Sequence, residues 1–172
     1  MPIDGQTGLA IPVPEADPLL AAVAARFPEA VRKDVPAHVS VLYPFRPADQ
    51  LDDQVISALS ELFAAQPVMA VKFGECRRRG EFVYLRPTPV EGLDEVTSGV
   101  RRRWPDIAPY DGLYDDIEPH VTVASHTTPE RAEEIEREIV PELVPISAEL
   151  REAWLVVFHG QWTLRQRFRF GG

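Results

Sequence analysis

Two short runs carry side chains suited to moving protons. They are His38-Val39-Ser40-Val41 and His120-Val121-Thr122-Val123. Each is a histidine, an apolar residue, a hydroxyl residue and a second apolar residue. Side chains alternate faces along a strand, so the histidine and hydroxyl of each run share one face and the valines take the other. Two such strands side by side would converge two imidazoles and two hydroxyls on one site. An unperturbed imidazole titrates near pH 6.5, so one can accept a proton while the other gives one. The hydroxyls of Ser40 and Thr122 can donate to charge developing on phosphoryl oxygens. The set suits acid–base chemistry on a phosphodiester.

Other residues offer support around such a centre. Tyr43, Phe45, Tyr110, Tyr114 and Trp162 are candidates for a wall on which a base or other planar group stacks. Arg78 and Arg79 lie at an expected hairpin tip from which a guanidinium could reach a phosphate; arginine forks match phosphate geometry. Arg101 to Arg103 read as a solvated helix end. His126 reads as an exposed loop residue and His159 as a turn residue. A zinc site built from His38, His120 and one of Asp115, Asp116 or Glu118 is the competing chemistry. Zinc ligands are usually closely spaced, and neither a His-x-x-x-His nor a Cys-x-x-Cys pair occurs.

The elements that must position these residues are short, because 17 prolines punctuate the chain. Thr7 to Val13 reads as a strand. Asp17 reads as an N-cap and Pro18 as the first residue of a helix to about Phe27. Ala37 to Tyr43 is the first motif strand, closed by Pro44. Asp49 to Ala65 is an amphipathic helix. Pro67 to Glu75 and Phe82 to Arg86 flank an arginine-rich tip at Cys76 to Gly80. Val90 to Arg103 is a third helix, ended before Pro105. A polar loop leads to the second motif strand, Glu118 to Ala124. Thr128 caps a fourth helix with Pro129 in its first turn, to about Val140. Val144 to Phe158 is mostly extended and pairs with Trp162 to Phe170 across His159-Gly160. This alternation predicts an α+β or α/β fold. The repeated motif predicts one domain over 1–172 with two related lobes, roughly 1–87 and 88–172.

The 172 residues, 45 % of them hydrophobic, suffice for one globular core. The formal net charge of −9 opposes tight binding to long nucleic acid, which depends on Lys and Arg neutralising phosphates. One cysteine, Cys76, permits no internal disulfide. Neither a signal-peptide pattern nor a membrane-length apolar run appears, so a soluble, cytoplasmic protein is expected.

The two motifs resemble those of the two-histidine (2H) phosphoesterase superfamily. The surroundings are similar to its bacterial 2′-5′ RNA ligase-like and cyclic phosphodiesterase-like branch. They include Leu42-Tyr43-Pro44-Phe45, Val83-Tyr84-Leu85-Arg86-Pro87, the proline before His120, Gly160-Gln161-Trp162 and Phe168-Arg169-Phe170. The resemblance covers essentially the whole chain. It implies a bilobal, pseudo-two-fold α+β fold, with antiparallel sheets lining a central cleft and helices outside. It implies catalysis by His38, Ser40, His120 and Thr122 without metal or cofactor. The substrate expected is a small cyclic nucleotide or short RNA end, opened to a 2′-phosphate and bound by Tyr43, Phe45, Arg79 and Tyr114. The alternatives are 2′-5′ ligation of RNA ends and a non-catalytic nucleotide-binding module.

Overall fold

The computed structural model describes residues 2–113 and 118–171. Tyr114, Asp115 and Asp116, singled out above, lie outside the described residues. The strands are β1 (Thr7–Pro12), β2 (His38–Leu42), β3 (Met69–Arg79), β4 (Phe82–Thr88), β5 (Val121–Ala124), β6 (Ile146–Leu150), β7 (Glu152–Phe158) and β8 (Trp162–Arg169). The helices are α1 (Asp17–Arg26), α2 (Asp53–Ala64), α3 (Glu91–Arg103) and α4 (Pro129–Ile139).

All eight strands join one sheet in the order β6-β3-β4-β5-β2-β1-β7-β8. Each neighbouring pair is antiparallel. The architecture is α+β, with a single curled sheet where two were expected. The two motif strands, β2 and β5, are its central pair.

Alternation then sorts the sheet's faces. Val39, Val41, Val121 and Val123 are buried, whereas His38, Ser40, His120 and Thr122 are only half-buried. The valine face is covered by helices: α3 packs on β2, α4 on β3 and β4, α1 on β5, and α2 on β8. Phe63 of α2 rests against Phe168 and Phe170, with ring centroids 5.6 and 6.1 Å away. Leu93 and Val96 of α3 and Ile135 of α4 join the same core. Each large apolar side chain so buried contributes roughly 1.5–3 kcal/mol. That core fixes the helix-covered face, and the four motif side chains take the opposite face.

Several boundaries differ from expectation for local reasons. Asp17 is inside α1, and its carboxylate accepts from the Ala37 backbone N–H at 2.8 Å rather than capping its own helix. It thereby ties α1 to the residue before His38. Thr128 does cap α4, accepting from Arg131 N–H at 3.1 Å. In α2 the cap is Asp52, which accepts from Val55 N–H at 2.9 Å. β3 runs through Arg79, because Arg77, Arg78 and Arg79 pair with Tyr84, Val83 and Phe82. The turn is Gly80-Glu81, with Gly80 at φ 59°, a conformation that glycine adopts without steric cost.

The expected division near residue 87 does not follow the sheet. Residue 87 lies inside β4, and β3 and β4 join β5 and β6 while β1 and β2 join β7 and β8. The repeat resides in two β-α-β units, β1-α1-β2 and β4-α3-β5, whose last strands meet at the centre. No helix among the described residues is long and apolar enough to cross a membrane.

Candidate active site

The antiparallel register pairs Val39 with Val121. Extending it one residue each way sets His38 beside Thr122 and Ser40 beside His120. The four motif side chains therefore occupy adjacent positions on one face, with the two histidines on a diagonal.

Both imidazoles are held by the same device. His38 Nδ1 bonds the Pro36 carbonyl at 2.8 Å, and His120 Nδ1 bonds the Glu118 carbonyl at 2.7 Å. A carbonyl only accepts, so each Nδ1 carries the proton and each neutral ring keeps its Nε2 lone pair for chemistry. The partner is the residue two before the histidine in both copies. Among the described residues neither the Ser40 nor the Thr122 hydroxyl bonds another protein group, so both can donate to a ligand.

The electrostatic surroundings of the two rings differ. Burial holds His38 below the usual histidine range; the charges of Arg32 and His120 push the same way, against the Pro36 carbonyl. Burial also lowers His120, but the Glu118 carbonyl and carboxylate oppose that shift. The Glu118 carboxylate is itself paired with Arg86 at 2.9 Å. Arg86 also meets Glu75 at 3.6 Å, and Glu75 pairs with Arg77 at 2.5 Å. Tyr84 stands edge-on to His120 with ring centroids 5.3 Å apart.

Of the expected stacking residues, Tyr43, Tyr110 and Trp162 come together. Tyr43 lies 6.0 Å from Tyr110 and 5.7 Å from Trp162 between centroids, and Phe158 extends the group 5.3 Å from Trp162. The Tyr43 hydroxyl donates to Gln6 Oε1 at 3.0 Å. The Tyr110 N–H donates to the Tyr43 carbonyl at 2.5 Å, and Tyr110 and Asp111 adopt positive φ of 51° and 55°. Such backbone is uncommon for a bulky side chain. Here it turns the loop so that Tyr110 meets Tyr43.

Phe45 does not join this wall. It is 4 % exposed and packs edge-on to Trp104 at 5.0 Å, so it serves the core. The strand ends at Leu42, and its alternation does not carry through Pro44. Arg79 pairs with Phe82 on the Tyr84 side of the hairpin and is exposed. Arg78 projects to the other side, where it meets Glu136 of α4 at 3.4 Å. Arg101 to Arg103 form the last turn of α3, where cations suit the helix dipole.

Arg32, Arg86 and Trp154 were not legible as site residues, and Glu118 was legible only as a zinc-ligand candidate. Arg32 bonds His126 at 3.1 Å across 94 residues of sequence. Glu118 and Arg86 meet only through strand pairing. Trp154 reaches the motif face through the register Trp154–Ala10–Ser40. Only the carbonyl positions two residues before each histidine carried a signal, since they repeat with the motif.

Among the described residues no three His, Cys, Asp or Glu side chains gather as metal ligands. Burial, with Glu136 adding to it, pushes the Cys76 thiol up to about 11, so it is protonated near neutral pH and a poor nucleophile. A groove of about 440 Å³ lined by Arg46, Gln50, Asp52, Gln54, Val55, Arg103 and Trp104 includes neither histidine.

A central strand pair presenting two His-x-Ser/Thr motifs on one face defines the two-histidine phosphoesterase class. The chain belongs to the 2′-5′ RNA ligase superfamily, whose sequence model matches residues 12–162. It is similar in fold to E. coli LigT complexed with 3′-AMP, at 18 % identity and TM-score 0.63 over 98 % of both chains. TT0787 of Thermus thermophilus is similar at 17 % identity and TM-score 0.59, over 95 % of this chain and 97 % of that one. LigT complexed with ATP is similar at 16 % identity and TM-score 0.63, over 99 % and 100 %. No curated protein matches the sequence significantly.

Proposed function

We propose that this protein is a metal-independent phosphodiesterase that opens a small cyclic phosphate, such as a 2′,3′-cyclic nucleotide or RNA end. One observation carries the reading: two imidazoles on adjacent strands, each with Nδ1 bound to a carbonyl and Nε2 left for chemistry.

Opening a cyclic phosphate by water needs a base at the nucleophile and an acid at the leaving oxygen. His38 is the base, because burial and, after it, the Arg32 charge favour its neutral form. His120 is the acid, because the Glu118 carboxylate favours its imidazolium. His38 Nε2 takes a proton from water as the water oxygen bonds phosphorus. The P–O3′ bond breaks, and O3′ receives the proton from His120 Nε2. The product is a 2′-phosphate, and the two rings return to their starting forms by proton exchange with solvent. Ser40 and Thr122 donate to the non-bridging oxygens. Each acid–base group contributes roughly 10² to 10⁴ in rate.

Tyr43, Tyr110 and Trp162 offer stacking faces for a base, with Arg79 and Tyr114 as further candidates for substrate contact. The ATP, NADP+ and 3′-AMP complexes of LigT support a ligand of nucleotide size. The net charge of −9 supports a short substrate over long RNA.

The test is turnover of adenosine 2′,3′-cyclic phosphate in EDTA, with the product resolved by chromatography. Conversion to adenosine 2′-phosphate is expected. No turnover by the folded wild-type protein, of this or other cyclic phosphates, overturns the reading.

A further inference from the structure

Arg32 lies between α1 and β2 in a segment anchored at both ends. The Ala30 carbonyl accepts from Ser125 N–H at 2.9 Å, and Ala37 N–H donates to Asp17 at 2.8 Å. The first bond holds the segment against the end of β5, which runs antiparallel to the start of β2. There the Arg32 Nη2 donates to His126 Nε2 at 3.1 Å. An arginine only donates, so His126 Nε2 is the acceptor and its ring is held as the Nδ1–H tautomer. His126 sits at φ 55°, a left-handed backbone that histidine tolerates better than most residues. Among the described residues Arg32 pairs with no carboxylate.

Arg32 is exposed, and its bond to His126 sets it beside the end of the central strand pair at which His38 begins β2. Burial above all holds His38 low, and the Arg32 charge adds to that shift. One Nη group is engaged by His126, and among the described residues the rest of the planar donor fork has no partner.

We propose that Arg32 is a phosphate-recognition residue of the two-histidine site and that His126 is the positioning residue that holds its guanidinium there. The proposal rests on the phosphodiester reading above and adds to it a cation held beside His38. A bidentate guanidinium matches two phosphate oxygens, and a lysine at the same place supplies only a point charge.

The experiment is calorimetric titration of inorganic phosphate and of adenosine 2′-phosphate into wild type, Arg32→Ala, Arg32→Lys, His126→Ala and, as a remote control, Arg103→Ala. Circular dichroism confirms each fold. The wild-type protein is expected to bind both probes. Arg32→Ala should weaken both by about 10- to 100-fold, the scale of a lost charge-assisted hydrogen bond. Arg32→Lys should recover little of this, His126→Ala should weaken binding severalfold, and Arg103→Ala should match wild type. Added guanidinium ion should restore phosphate binding to Arg32→Ala, which a merely structural loss would not allow.

Phosphate binding that is absent in wild type, or unchanged in Arg32→Ala, overturns the proposal, as does a loss that guanidinium does not rescue. Unchanged binding in His126→Ala overturns the positioning role. Because the readout is equilibrium binding, failure of the catalytic reading shows separately, as lost turnover with Arg32-dependent binding intact.

Discussion

Glu118 acts on His120 twice: its carbonyl accepts the imidazole Nδ1–H at 2.7 Å, and its carboxylate, paired with Arg86 at 2.9 Å, favours the imidazolium. His38 has the first contact, through Pro36, but faces the cation Arg32 where His120 faces an anion. One backbone device therefore serves both rings, and on the proposed mechanism the neighbouring charges separate their roles. Glu118→Gln should move the alkaline limb of kcat/KM to lower pH and leave the acid limb in place. A pH profile of the variant checks this; an unmoved alkaline limb would detach Glu118 from the acid.

The pH profile of wild type follows from both shifts being downward. The base works above the lowered value of His38, and the acid works below the lowered value of His120. Both limits lie under the ordinary histidine value of about 6.5, so kcat/KM should be bell-shaped with its maximum on the acid side of that value. A profile that is flat or rises monotonically across neutrality contradicts paired roles.

Stability should carry the same signature. The folded state disfavours both imidazolium forms, so the unfolded chain binds more protons once pH falls below about 6.5. Unfolding free energy should decline as pH drops through that value towards the folded-state values. His38→Ala should flatten the decline, as urea titrations at stepped pH would show.

Removing either motif hydroxyl should cost rate more than fold. Ser40→Ala and Thr122→Ala should each lower kcat by about 10²-fold, the scale of one lost oxyanion donor. Thermal unfolding should stay near wild type, since neither hydroxyl bonds another protein group among the described residues. Phe63→Ala is the converse case. It empties the contact between α2 and the Phe168–Phe170 end of β8, and should cost roughly 3–5 kcal/mol in denaturant titration.

What was legible in the sequence was local and periodic. The valines of each motif alternate with polar residues, and that period of two placed four side chains on one face before any fold was known. Thr128-Pro129 likewise marked the start of α4. What was not legible depended on pairing across the chain. Arg32 meets His126 only because Ala30 is bonded to Ser125, and Arg86 meets Glu118 only through the β4–β5 pairing. Phe45 looked like part of the Tyr43 wall by proximity, yet its ring is buried against Trp104. Asp17 carried a valid cap signature, but a closer competitor, the Ala37 N–H, took its carboxylate.

The most direct test of the central claim is the turnover number of His38→Ala and of His120→Ala on adenosine 2′,3′-cyclic phosphate in EDTA, each beside wild type with its fold confirmed. The account predicts that each substitution alone lowers kcat by about 10² to 10⁴, because each ring carries one of the two proton transfers. Wild-type turnover that survives either substitution would contradict it.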